Sequence, residues 1–125
     1  MKFDEPMALA FSAEMQLAAA ARSAGQLAQC MSHLERAHLI GQTVFVWHWQ
    51  THWHMLSLAF SQRDVNEVIG QLTRLSLVPL GHLLGRLPLG NVGSTRMGPF
   101  DTAELPRDVA ELLAARRDGA KGPTS

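Results

Sequence analysis

The stretch TVFVWHWQTHWHMLSLAFS, residues 43–61, decides the fold. Its first half holds Val44, Phe45, Val46, Trp47 and Trp49. Such β-branched and aromatic residues, taken alone, read as a strand. Length argues otherwise. No breaker interrupts the run before Gln62, and an uninterrupted segment of that length reads as a helix. Phe45, Trp49, His52, Leu56 and Ala59 then form a stripe at helical spacing.

Outward from this segment the helical pattern continues in both directions. Upstream, Gln26 to Ile40 carries Leu27, Met31, Leu34 and His38 on one stripe, with Gly41 in the C-terminal cap position. Before it, a first helix is expected from Pro6 to Arg22. Proline suits the first helical turn, Asp4 and Glu5 complement the helix dipole, and the alanine run 18–21 allows a close neighbour. Downstream, Asp64 reads as an N-cap, with Glu67 completing a capping-box pattern. A fourth helix follows from Val65 to Leu77, with Val65, Val68, Leu72 and Leu75 inward, then a short broken helix from Val78 to Leu87. Gly90, Gly93, Gly98 and two prolines mark residues 88–105 as a loop, and a last amphipathic helix covers 106–117. The expectation is an all-α compact bundle of five or six helices, one domain over residues 1–117, with a disordered tail at 118–125.

Composition bounds the function. The chain has 125 residues, of which 46% are hydrophobic and 18% charged, so it can bury a core and is not disordered as a whole. Eleven basic residues balance eleven acidic ones. Without clustered positive charge there is no nucleic-acid footprint, and a net charge of zero favours self-association. Cys30 is the single cysteine, which excludes an intrachain disulfide and fits a reducing compartment. Asp4, Glu5 and Pro6 stand where a secretory signal needs basic and then apolar residues, and no apolar run reaches membrane-spanning length. The reading is cytoplasmic, with no membrane segment.

Two resemblances sharpen this. Segments starting at Gly25 (GQLAQCMSHLERAHLI) and Arg63 (RDVNEVIGQLTRLSLV) align Leu27 with Val65, Leu34 with Leu72 and Ala37 with Leu75. With Trp53-x-x-Leu56-Ser57-x-x-Phe60 ahead of the second, the pattern resembles the tetratricopeptide repeat. That resemblance implies helix hairpins over about residues 7–78 and no ligand. Second, the residues His33-Leu34-Glu35-Arg36-Ala37-His38, Gly41-Gln42, His48-x-x-x-His52-x-x-Met55-Leu56, Arg63-Asp64, Gly90-Asn91-x-Gly93 and Pro99-Phe100 resemble a family of small bacterial proteins known only as a domain of unknown function. By that resemblance the family's recurrent histidines fall on His33, His38, His48 and His52, while His54 and His82 do not match its pattern.

Five of the six histidines lie between His33 and His54. Helical histidines are commonly surface or hydrogen-bonded core residues. Geometry gives the sharper reading. His48 and His52 are one turn apart and can share a metal ion. A short turn at Gly41-Gln42 folds the two helices antiparallel, which sets His38 near His48 and His33 near His52. His33 and His38 are five residues apart, about 140° around their helix, and His38 shares the apolar stripe. Cys30, one turn before His33, offers a thiolate opposite His54. The candidate metal ligands are therefore His38, His48 and His52, with His33 or Cys30 as a fourth, for zinc or copper. Glu35-x-x-His38, completed by Glu14 and Glu67, is a weaker di-iron pattern that lacks its second Glu-x-x-His. No catalytic carboxylate pair, triad or cofactor fingerprint appears. The reading is a non-enzymatic metal-binding protein, in metal handling or tolerance. The alternative is a tetratricopeptide-like interaction module that binds a protein partner or a second copy through the Trp-rich helix and the apolar 75–90 segment.

Overall fold

A computed structural model of the chain describes residues 5–87 and 90–120, with side chains to Ala115. Five helices and no strand are present among the described residues: α1 (Glu5–Ser23), α2 (Leu27–Gly41), α3 (Phe45–Ser61), α4 (Val65–Leu84) and α5 (Arg107–Ala120). The protein is an all-α bundle. No described helix is long and apolar enough to cross a membrane. Helix α1 packs along α2, α2 along α3 and α3 along α4, while α5 leans on α1 and α2.

Each junction has a local cause. Asp64 caps α4 by accepting from the Glu67 backbone N–H at 3.1 Å, in the extended conformation a cap requires. The reciprocal half of the expected capping box is absent, because the Glu67 side chain is used elsewhere. Gly41 is not a cap but the last residue of α2, followed by Gln42 in ordinary right-handed geometry. Its need for glycine is steric: a Cβ there would lie 2.8 Å from Trp47 Cβ and 3.1 Å from the Phe11 ring. Phe11 and Trp47 stack with centroids 4.9 Å apart, locking α1 to the start of α3.

The hydrophobic core has two parts. Met7, Phe11, Ala37, Leu39, Ile40, Val92 and Val109 join α1, α2, α5 and the loop before α5. Ala18, Ala21, Cys30, Leu34, Met55 and Leu58 join α1, α2 and α3. The small alanines admit α2 closely, and burial of Met55 and Leu58 contributes about 1.5–3 kcal/mol for each side chain.

Three expectations are corrected. The break before Val78 does not occur: α4 runs through Pro79 to Leu84. Pro79 removes one helical hydrogen bond, but burial of Leu75 and Val78 in the turn before it holds the helix in place, and α4 continues. The inward faces of α3 and α4 match expectation only in part: His52, Ala59 and Leu75 are buried as expected. Phe45, Trp49, Val65 and Leu72 are exposed, while His48, Thr51 and His52 on α3 and Glu67, Gln71 and Arg74 on α4 are buried. These polar groups share the buried faces with Met55, Leu58, Ala59, Leu75 and Val78, and are held there by bonds to one another and to the loop before α5. Finally, α5 extends to Ala120, beyond the expected end at Arg117. Residues 88–89 of the loop and 121–125 of the tail lie outside the described residues.

Gly41→Ala should destabilise the fold by about 1–3 kcal/mol, the usual cost of overpacking. Urea unfolding checks this. A change within a few tenths of a kcal/mol would mean that the α2–α3 corner is not tightly packed.

Candidate metal centre

The inward rotation of α3 stacks His48 and His52 on one face, one turn apart, and the turn at residues 42–44 brings the last turn of α2 against them. His38, His48 and His52 are 2%, 4% and 2% exposed. One nitrogen of each lies within 4.8 Å of the others, within reach of a single metal ion. His38 Nε2 and His52 Nε2 are 3.0 Å apart.

The surrounding hydrogen bonds fix the proton on His52. Gln71 is fully buried, and its amide nitrogen donates to the Gly93 carbonyl at 2.8 Å and to Glu67 Oε2 at 3.0 Å. Both partners can only accept, so the amide cannot be flipped. Its oxygen therefore accepts from His52 Nδ1–H at 2.7 Å, which leaves a lone pair on His52 Nε2. His48 Nδ1 meets His82 Nε2 at 2.9 Å, leaving its own Nε2 for the centre. His38 Nδ1 is buried beside the Asn91 backbone with no partner in full hydrogen-bond geometry. An orphaned polar atom of this kind costs about 1–3 kcal/mol.

The loop before α5 closes over the site. The Asn91 side chain donates to the Gly98 and Asp101 carbonyls and accepts from the Gly93 N–H, folding the loop on itself. Gly93 sits at φ +90°, and a Cβ there would lie 2.6 Å from the His38 ring. Only glycine combines that backbone conformation with that approach. Glu67 accepts from the Thr95 N–H and hydroxyl, and Glu35 accepts from Ser94 and Arg96. Thus Gly90-Asn91-Val92-Gly93 is a structural turn that seals the imidazoles.

Of the expected ligands, three come together and two do not. His33 Nδ1 pairs with Glu14 Oε2 at 2.8 Å, and Glu14 also accepts from Arg36 Nε at 2.8 Å. The angular separation of His33 and His38 on α2 directs them to different neighbours. Cys30 is buried in the apolar cluster of α1, α2 and α3, where desolvation raises its thiol pKa, partly opposed by Arg22. A neutral thiol is a poor ligand. The di-iron pattern also dissolves, since Glu14, Glu35 and Glu67 serve three separate networks. Sequence reasoning missed His82, Gln71 and Arg74, and placed Glu67 only in a capping box and a di-iron pattern. Glu67, Gln71 and Arg74 recur at helical spacing with Val78, which was the available signal.

Burial makes the imidazoles neutral. Desolvation, reinforced by neighbouring histidines, lowers His48 to about 3, and desolvation lowers His52 to about 4 despite the Gln71 bond. His38 is pushed well below its usual value, first by desolvation and then by His52 and His48. Unfolded imidazoles titrate near 6.5. Above that pH both states are neutral and stability is flat. As pH falls from 6.5 toward 4 and then 3, the unfolded chain takes up protons that the folded chain refuses. The metal-free protein should therefore lose stability on acidification across this window, by about 1.4 kcal/mol per pH unit for each such histidine. Chemical denaturation from pH 7 to 4 checks this. A flat profile would mean that these imidazoles are not buried.

The site can hold a metal dication by neutral nitrogen donors alone. No curated protein and no solved structure matches the chain. A family model described as "Protein of unknown function (DUF3703)" matches residues 5–113. The chain, with its buried histidines inside that span, belongs to this family.

Proposed function

We propose that the protein binds one transition-metal ion, zinc or copper, through Nε2 of His38, His48 and His52, and serves in metal handling or tolerance in the cytoplasm. The observation that carries this reading is the meeting of three buried neutral imidazoles within 4.8 Å. Ligands of one tetrahedral ion at 2.0–2.1 Å stand roughly 3–4 Å apart, as the His38 and His52 nitrogens do. The outer bonds support it as well. His52 and His48 each have the second ring nitrogen engaged, by Gln71 and by His82, the arrangement that orients metal-ligating histidines. Metal at His38 Nε2 displaces the ring proton to Nδ1, beside the Asn91 backbone, and so removes the orphan. With Cys30 in the apolar cluster, the donor set is imidazole alone and favours zinc or copper(II) over copper(I).

The double variant His48→Ala, His52→Ala tests this. Zinc in hundredfold excess over its Kd should stabilise the wild type by about 2.7 kcal/mol, on the order of 10 °C in Tm. The double variant should not respond. His82→Ala should still bind, about 10–100-fold more weakly. A wild type whose Tm ignores zinc, copper and nickel at neutral pH would overturn the reading.

A second reading, compatible with the first, rests on the outer faces of α3 and α4. Trp53 and Phe60 are 57% and 72% exposed, and Ile69 and Leu72 are 58% and 52% exposed. This exposed face includes Leu72 from the stripe expected to point inward and is continued by Leu83. With a net charge of zero, no long-range repulsion opposes a second copy of the chain on this face. Sedimentation equilibrium should then give a dimer, converted to monomer by Trp53→Lys with Ile69→Lys. A wild type monomeric throughout its concentration range would remove this reading.

A further inference from the structure

Beside the three imidazoles lies a cavity of about 320 Å³. At about 30 Å³ per water-sized volume it holds on the order of ten heavy atoms. Its lining has two chemistries. His38, His48, His52 and Arg74 supply polar groups, and Leu77, Leu80, Leu84 and Leu87 supply an apolar wall.

Arg74 is the unusual member. It is 7% exposed, yet it makes no ion pair with any described residue. Its Nη1 donates to the Gly70 carbonyl at 3.0 Å, and its Nη2 to the Met97 and Ser94 carbonyls at 2.6 and 3.3 Å. Its Nε is buried with no partner. Glu67 acts on it only through space, its oxygens being engaged by Thr95 and Gln71. A buried cation held by neutral carbonyls is costly. A metal dication on three neutral imidazoles would add two more positive charges nearby, and the mutual repulsion in a low-dielectric interior is strong. An anion between the two centres relieves both. Three protein ligands also leave a tetrahedral ion one coordination position for an outside ligand.

We propose that this cavity binds a medium-chain monocarboxylate, its carboxylate placed between the metal and Arg74 and its hydrocarbon chain along the α4 leucines. The proposal rests on the metal reading above. The buried Arg74 guanidinium and one metal position match the two oxygens of a carboxylate, the exposed Arg86 on the same lining adds positive charge, and the leucine wall matches an unbranched chain. A neutral alcohol would leave Arg74 uncompensated.

The test uses the full-length protein loaded with cobalt(II) in place of zinc, followed by visible absorption. Titration with hexanoate should shift the cobalt bands at roughly tenfold lower concentration than acetate, because the longer chain buries more apolar surface. Hexanol should leave them unchanged. Arg74→Gln should load cobalt yet bind hexanoate at least about tenfold more weakly, the scale of a lost charge-assisted hydrogen bond. Because Arg74 also ties down the loop, Leu84→Ser is the second variant. Leu84 is half-exposed at the end of α4, and its change should narrow the gap between hexanoate and acetate. Cobalt bands indifferent to hexanoate, or equal affinity for hexanoate and acetate in the wild type, would overturn the proposal and leave the metal site intact. Failure to load cobalt at all would instead overturn the metal reading, and this proposal with it.

Discussion

One buried amide organises the region on which function depends. Gln71 accepts from His52 on α3, donates to the Gly93 carbonyl of the loop and donates to Glu67 one turn earlier on its own helix. No solvent reaches it, so each bond replaces water that the site excludes. Losing any of them strands a partner at about 1–3 kcal/mol. The same bonds set the tautomer of His52, the distance between α3 and α4, and the position of the loop strand lying on His38. A polar interior is stable here because it is almost completely satisfied, and the exceptions, His38 Nδ1 and Arg74 Nε, belong to residues that line the cavity.

That arrangement explains why the imidazoles are neutral and why several large apolar residues of α3 and α4 face outward. A helix can bury one face against its partners. In α3 and α4 that face combines Met55, Leu58, Ala59, Leu75 and Val78 with polar groups held by side-chain bonds, and Phe45, Trp53, Phe60, Val65, Ile69 and Leu72 are left at the surface. The rest of the bundle supplies the rigidity. Phe11 stacked on Trp47 fixes the entry of α3, and the alanine face of α1 lets α2 sit close enough to present His38.

The helices were legible in the sequence because their caps and turns are local: Asp64 and the turn after Gly41 each act within a few residues. The convergence of His38, His48 and His52 was legible too, since it needs only helical spacing and an antiparallel turn. The facing of α3 and α4 was legible only in part, at His52, Ala59 and Leu75. A hydrophobic stripe is a reliable guide only where the core is apolar, and here Glu67, Gln71 and Arg74 win the inside through partners distant in sequence, in the loop at Gly93 to Met97. His33 and Cys30 were offered as a fourth ligand from the antiparallel register of α2 and α3, but the rotation of about 140° between His33 and His38 turns His33 to Glu14, and Cys30 packs in the apolar cluster. His82 was invisible because reaching His48 requires α4 to continue through Pro79, which sequence alone argues against.

The central claim is that the three imidazoles share one metal ion. Zinc X-ray absorption on untagged, zinc-loaded protein tests it most directly. The account predicts a first shell of three nitrogens and one further light atom at about 2.0–2.1 Å, with the outer-shell scattering of three imidazole rings. A sulfur contribution near 2.3 Å, which would place Cys30 on the metal, would contradict it. So would a zinc coordinated by water alone.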